Sequence, residues 1–299
     1  MNKFAEQLRD IRLSKKLKQI DICTILSDEN EQFESIDATT YSRWEKGIII
    51  PNPTKQAAML DILGKLSSYD AIIPSVNKAK AKVHDELLSK LFPDTGVKTY
   101  FSRSEFRVIK ELSELENVFS DGRIYRHTHQ IEDDYSWLFD NYTLDDMVNF
   151  FGMELLGYYY DKMLINHVLL ATVPIDLIAK RVPNGKRYRT IMRKSHTFDE
   201  VNILSSSVVT DINFMHLSIA YICSKNFCNA KWLRVPTVSQ THSHLWCKLF
   251  NIYGSKSLPT FIKNGQPCNY QMFEPYSFMT NFLIEKNYND NIDEISRWI

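Results

Sequence analysis

Glycine is scarce in this chain, with nine residues in 299, under half the usual share of about 7%. No Gly-x-Ser-x-Gly elbow, Walker-type phosphate loop or His-Glu-x-x-His is present, so no motif points to an elbow hydrolase, a P-loop enzyme or a zinc peptidase. Serine and lysine are plentiful, yet no motif singles out a Ser/Lys pair for self-cleavage. The five cysteines (Cys23, Cys223, Cys228, Cys247 and Cys268) form no paired framework and no C-x-x-C. With no signal peptide at the start, they are expected to be free thiols in a reducing cytoplasm. Neither sign of charge is in excess: 36 basic residues balance 36 acidic ones, so any basic surface must be local. No apolar run approaches the roughly 20 residues needed to cross a bilayer. The segment Leu164–Val173 is short and is interrupted by Asn166 and His167, and no membrane partner is expected. There is no internal repeat and no low-complexity tract.

What is present is concentrated in residues 35–47, Ser-Ile-Asp-Ala-Thr-Thr-Tyr-Ser-Arg-Trp-Glu-Lys-Gly. Asp37 is a good helix N-cap and Gly47 a good helix stop. Ile36, Tyr41 and Trp44 recur at near-helical spacing and belong to a core, leaving Ala38, Thr39, Ser42 and Arg43 outward. A short helix opening on small, hydrogen-bonding residues with an arginine one turn on suits a DNA major groove. Upstream, Phe4, Leu8, Ile11 and Leu13 predict a first amphipathic helix. Lys15-Lys16-Leu17-Lys18-Gln19 leads into a second, Ile20 to Leu26. Downstream, an Ile-rich turn and Pro51-Asn52-Pro53-Thr54 precede a further helix with Ala57, Met59, Leu60, Ile62 and Leu63 on its apolar side.

This order resembles the Xre family of helix-turn-helix domains, the Cro and lambda-repressor type. The matching residues are Leu8, Arg12, Gln19, Cys23 and Arg43-Trp44-Glu45-Lys46-Gly47, and the resemblance covers roughly residues 3–66. It implies that Gln19 meets the DNA backbone or an adjacent base, that Ala38 and Thr39 sit where base edges are read, and that Thr40 and Ser42 also belong to the DNA-binding set. Arg43 would reach a guanine or a phosphate. Lys15, Lys16, Lys18 and Lys46 would supply phosphate contacts, which set affinity and register but not sequence. Glu45 is expected to tether a backbone amide or a nearby cation. One departure stands out. Where the family has a tight turn, Ser27–Glu34 looks inserted and carries four carboxylates. It reads as a solvated loop, or else as a partner surface or a brake on non-specific DNA binding.

The boundary is expected at residues 69–84, with the DNA-binding domain over 1–68 and a larger domain over 85–299. Lys78, Lys80 and Lys82 read as a soluble linker or helix start, or as a second DNA-tracking segment. Beyond them, Ser104–Phe119 reads as an amphipathic helix and Leu144–Phe151 as another. Glu154–Tyr160 and Leu164–Val173 read as strands joined by a tight turn at Asp161-Lys162. Val201–Val209 follows as a strand, Phe214–Phe227 as a helix, Trp232–Val235 as a strand and Ser239–Phe250 as a helix. Met272–Leu283 is ambiguous, and Asn291–Trp298 reads as a terminal helix. The fold class expected is therefore multidomain: an all-α, lambda-repressor-like domain plus an α/β (α+β) domain.

The order of elements in the second domain resembles the acyl-CoA N-acyltransferase (GNAT) fold. That resemblance implies coenzyme A or an acyl-CoA as the cofactor, bound after Val201–Val209. The family's glycine-bearing phosphate loop is absent, however. Residues 209–216 contain no glycine and place Asp211 where an anion would sit. The family's leaving-group tyrosine would fall near Trp246. No catalytic residue is assigned. His127/His129 and His242/His244 are His-x-His pairs that share a face only in a strand. They are better read as solvated or packing residues, so no metal is expected. The expected partners are double-stranded operator DNA, a second copy of the chain, and an effector molecule or protein for the second domain. The expected function is sequence-specific transcription regulation, with the second domain dimerising the chain, sensing a ligand or binding a partner. An acyltransferase with a DNA-binding domain, and an antitoxin or phage-immunity regulator, are the alternatives.

Overall fold

The computed structural model describes residues 3–68, 78–93, 104–120, 141–181, 200–228, 231–237, 243–257, 261–263 and 266–299. It shows a protein of mixed helix and sheet. The chain opens with four helices: α1 (Lys3–Ser14), α2 (Gln19–Glu29), α3 (Ala38–Glu45) and α4 (Pro53–Ile62). Each of the last three starts on a local signal. The Asp21 carboxylate accepts from Lys18 N ahead of α2, Asp37 accepts from Thr40 N at 2.6 Å, and Asn52 accepts from Lys55 N with Pro53 opening α4. Gly47 ends α3 in the left-handed region, as its position after the last turn requires. Phe4, Leu8, Ile11, Ile22, Leu26, Phe33, Tyr41 and Trp44 fill the space between the helices.

The acidic insert is ordered rather than a loop. α2 runs on through Glu29, three residues past its expected end, and a 3-10 turn spans Glu31–Phe33. The reason is Phe33, which is buried in the core and anchors the segment, while Asn30 accepts from Gln32 N to start the turn. Asp28, Glu29, Glu31 and Glu34 remain exposed.

The stretch read as linker also contains structure, because α5 (Lys78–Leu91) begins within it. Leu87 and Leu88 are buried, and His84 bonds through Nε2 with Tyr253 Oη at 3.0 Å. Next come β1 (Glu105–Ile109) and α6 (Leu112–Ser120), where the sequence pattern suggested one helix over 104–119. Phe106 and Val108 face the core while Glu105 and Arg107 face out. This period-2 alternation is the strand signal, and it was masked by the helical spacing of Phe106, Ile109 and Leu112.

The remaining elements are α7 (Leu144–Phe151), β2 (Glu154–Tyr160), β3 (Met163–Pro174), α8 (Ile175–Arg181), β4 (Glu200–Val208), α9 (Ile212–Cys228), β5 (Trp232–Thr237), α10 (Ser243–Ile252), β6 (Lys256–Ser257), β7 (Phe261–Lys263), β8 (Gln266–Phe273), α11 (Pro275–Met279) and α12 (Phe282–Ile295). The segment 272–283 thus resolves into the end of β8, then α11, then the start of α12. Residues 291–295 close α12, and a 3-10 turn spans Ser296–Trp298. Asp161 and Lys162 close the β2–β3 hairpin with positive φ at both positions, as a two-residue turn between twisted strands demands.

The strands form one sheet in the order β1-β2-β3-β4-β5-β8-β6, with β7 on the far end of β8. Among the described residues every pairing is antiparallel except β4 with β5. α9 makes the crossover that this parallel pair needs. One face of the sheet presents Phe106, Leu156, Tyr158, Val168 and Leu170 to α9 residues such as Phe214, Leu217 and Tyr221. The other presents Leu155, Leu169, Ala171 and Val173 to Leu115, Met147 and Phe151. Of the three consecutive tyrosines, Tyr158 is buried and stacks on Phe214, while Tyr159 and Tyr160 are half-buried.

The four N-terminal helices share an apolar core with α9, α11 and α12. α4 is the bridge, and Gln56 to Leu60 are buried in succession. Tyr276 Oη in α11 donates to Asp61 Oδ2 at 2.7 Å, and the hydroxyls of Thr54 and Thr280 share a hydrogen bond.

Candidate nucleic-acid interface

α3 is divided between a buried side and an exposed side. Tyr41, Trp44 and Glu45 are buried, whereas Thr39, Arg43 and Lys46 are exposed and Ala38, Thr40 and Ser42 are half-buried. The division follows from sequence: two aromatics three apart bind the helix to α1 and α2, which forces the residues between them outward. Burial pushes the Tyr41 phenol well above its ordinary pKa, so it stays neutral, and its Oη bonds to the Leu8 carbonyl.

Glu45 is the hub beneath that surface. Its Oε1 accepts from Arg12 Nε at 2.7 Å, and its Oε2 accepts from the Gln19 amide nitrogen. One buried carboxylate therefore joins the end of α1, the start of α2 and the end of α3. Breaking such a pair leaves an uncompensated buried charge, so the arrangement is held firmly. The expected tether is a cation, Arg12, together with the side-chain amide of Gln19. Gln19 itself is half-buried and spends one of its two amide N–H donors on Glu45. Arg12 also donates to the Leu17 carbonyl at 3.3 Å and so braces the turn that carries the lysines.

Lys15, Lys16 and Lys18 are exposed on that turn. Lys16 sits at φ +55, a left-handed conformation that costs a non-glycine residue about 1 kcal/mol. Lys46 lies at the opposite end of α3 from Asp37, whose carboxyl is held below its ordinary range by its bonds to Thr40. The nearby Arg43 charge acts in the same direction.

The second feature of interest is where the sheet parts. β4 bonds β5 only over Val201–Ile203 and Trp232–Arg234. Beyond this, β4 continues with β3 to Val208 and β5 with β8 to Thr237. The two parallel strands therefore separate at their carboxyl ends, the usual place for a ligand in an open α/β sheet. The turn into α9 sits there. Asn166 Oδ1 accepts from Thr210 N at 2.6 Å and from Thr210 Oγ1 at 2.9 Å, and Asp211 Oδ1 accepts from Phe214 N at 2.8 Å. The chain's own carboxylate thus takes part of the helix start that an anion would otherwise occupy. Burial, then the charges of Asp211 and Glu294, push the nearby Tyr158 phenol up to about 12.

Other sequence candidates do not converge. Among the described residues no group of three or more His, Cys, Asp and Glu side chains is placed to hold a metal. His127, His129 and His242 lie outside the described residues, and His244 is exposed. Among the described residues no helix is long and apolar enough to cross a membrane. The sequence suggested a tether at Glu45 but not its partners, and it gave no sign of the Asn166–Thr210 clasp. The paired residues lie 26 to 44 residues apart, and no local pattern marks such pairs. No family model matches the chain, and no curated protein matches its sequence.

Proposed function

We propose that this chain is a sequence-specific DNA-binding transcription regulator of the cytoplasm. α2 and α3 form an Xre-type helix-turn-helix, and the sheet region binds an effector or a partner. The observation that carries the proposal is the division of α3. Thr39, Arg43 and Lys46 stand exposed on a helix fixed from behind by Glu45, Arg12 and Gln19. Rigid backing of this kind suits base reading, which requires side chains held in register. The exposed Lys15, Lys16 and Lys18 suit phosphate contacts at the start of α2. Two copies would read a two-fold site with half-sites about one DNA turn apart.

The test is selection of duplexes from a random pool by the full chain, followed by titration of variants. Arg43→Ala is expected to relax or abolish recognition of the enriched sequence. Lys16→Ala is expected to weaken binding to all sequences alike and lower the salt slope by roughly one. Equal, sequence-independent losses for both would refute base reading by α3.

The acyltransferase reading has one specific support. Hairpin β2–β3, strand β4, helix α9, strand β5 and helix α10 occur in the order that fold implies, with α8 between β3 and β4, and among the described residues β4 and β5 are the one parallel pair. Against catalysis stands Asp211, a carboxylate at the helix start where a pyrophosphate would have to bind. We infer an acyltransferase-like scaffold without the chemistry. A saturable thermal shift of the full chain with coenzyme A, together with acyl transfer to an amine, would reinstate the enzyme.

A further inference from the structure

Helix α5 is fastened to the fold at one polar point. His84 is 9% exposed, and both of its ring nitrogens are engaged. Nδ1 lies 3.2 Å from Asp85 Oδ1, and because a carboxylate only accepts, Nδ1 carries the proton. Nε2 is then the acceptor, 3.0 Å from the hydroxyl of Tyr253, which follows α10 and is buried. That hydroxyl has no second partner among the described residues. A proton added at Nε2 sets two donors against each other, unless the hydroxyl turns its hydrogen away from the only acceptor it has. Burial holds the imidazoles of His84 and of His216 in α9 below their ordinary pKa. Charge adjusts this on every side. A charge on His84 opposes one on His216, and Lys286 of α12 opposes both. Asp85 favours a charge on His84, and Asp290 and Asp211 favour one on His216.

We propose that His84, Tyr253 and His216 form an acid-sensitive latch, which holds α5 on α10 at neutral pH and releases it when the two imidazoles take up protons. α5 is suited to release. At 14 residues it is close to the length of about 12–15 below which an isolated helix is marginal in water. Lys78 and Lys80 stand in its first turn, where the helix dipole disfavours cations. What holds it is the burial of Leu87 and Leu88, the edge contact of Phe92 with Trp246 of α10 at 5.8 Å, and the His84 bond. Off the fold it has little to keep it helical, so release is local unfolding. The released helix takes up its proton at the ordinary imidazole value of about 6.5, the docked helix only at lower pH. Docking is therefore undiminished above about 6.5, weakens as pH falls toward the docked value, and is level below it. Glu285 of α12 responds in the opposite direction, because its buried carboxyl favours the folded state more as pH falls through the same range. Acid thus loosens α5 and not α12. The latch does not depend on what the N-terminal helices bind.

The test is hydrogen exchange of the full chain at about pH 7.5 and about pH 5.5, with rates corrected for their intrinsic pH dependence and segments 78–92 and 282–295 compared. On acidification the protection of 78–92 should fall on the order of tenfold, the factor that one pKa unit carries, while that of 282–295 holds or rises. His84→Gln keeps an acceptor for the Tyr253 hydroxyl but cannot take up a proton, and should lose most of the response. His216→Gln should lose a smaller share of it. Tyr253→Phe keeps the ring and removes the bond, and should lower the protection of 78–92 at the higher pH as well. Titration of the imidazoles in the parent chain by NMR needs no variant, and His84 should titrate below about 6.5. Four results would each overturn the latch: protection of 78–92 that pH does not move, a response that survives His84→Gln, the two segments opening together, or a His84 that titrates at or above about 6.5.

Discussion

The helical N-terminal region and the sheet region differ in how completely their buried polar groups are satisfied. Among residues 3–68 the buried polar side chains are Asn30, Glu45 and Gln56, and each has a partner. In the sheet region Asn166 Nδ2, Ser218 Oγ, Asn226 Nδ2 and both carboxyl oxygens of Glu285 are buried without a hydrogen bond among the described residues. A fully satisfied polar network rigidifies, whereas an unsatisfied group costs roughly 1–3 kcal/mol. The first region is thus made to hold one surface still. The second carries stored cost, of the kind that a bound molecule, a proton or a rearrangement can release.

The comparison breaks most readily at Glu45. Glu45→Ala strands the half-buried Arg12 guanidinium and frees α1, α2 and α3 from one another. A loss of about 3 kcal/mol in urea denaturation is expected, with α3 losing its rigid backing. A change below about 0.5 kcal/mol would mean that apolar packing alone fixes α3.

Glu285 is the counterpart in the sheet region. It is 2% exposed in the first turn of α12, and burial pushes its carboxyl up to about 7. The folded state therefore keeps its proton to higher pH than the unfolded state does. Its contribution is fully present below the ordinary carboxylate value of about 4.3. It is lost as pH rises to about 7, beyond which it stays flat. The change across that window is worth on the order of 3 kcal/mol. Glu285→Gln should remove it and make the protein more stable at pH 8, as read from denaturation midpoints across pH. An unchanged slope would place the proton elsewhere.

The smallest effect separates folding from binding. Lys16→Gly relieves a left-handed conformation and should stabilise the chain by up to about 1 kcal/mol. It should also weaken DNA binding at low salt, through the loss of one phosphate contact. A variant that is both less stable and no weaker on DNA would contradict both assignments for Lys16.

Local chemistry made the helical region legible. Asp37, Gly47, Asn52 and Pro53 announce helix ends, and Tyr41 with Trp44 announces a buried side, so α3 lies where the spacing places it. The β2–β3 hairpin was legible for the same reason, with Asp161-Lys162 between apolar runs. β1 was not. It is five residues long, and its alternation is overlaid by a helical spacing that continues into α6. Nor could sequence show that α4 is buried between two layers, because Asp61 and Tyr276 meet across 215 residues. The part of the candidate site on one short helix was visible. Of the hub behind it, sequence suggested a tether at Glu45 but not its partners Arg12 and Gln19, and the parting of β4 from β5 depends on tertiary pairing, which leaves no mark in a single sequence.

The most direct measurement is the affinity of the full chain and of Arg43→Ala for the duplex that the chain itself enriches, set against a scrambled duplex at the same salt. The account predicts tight, sequence-dependent binding by the parent, with a penalty of about 1–3 kcal/mol for Arg43→Ala on the enriched duplex and little on the scrambled one. Equal affinity of the parent for both duplexes would contradict it.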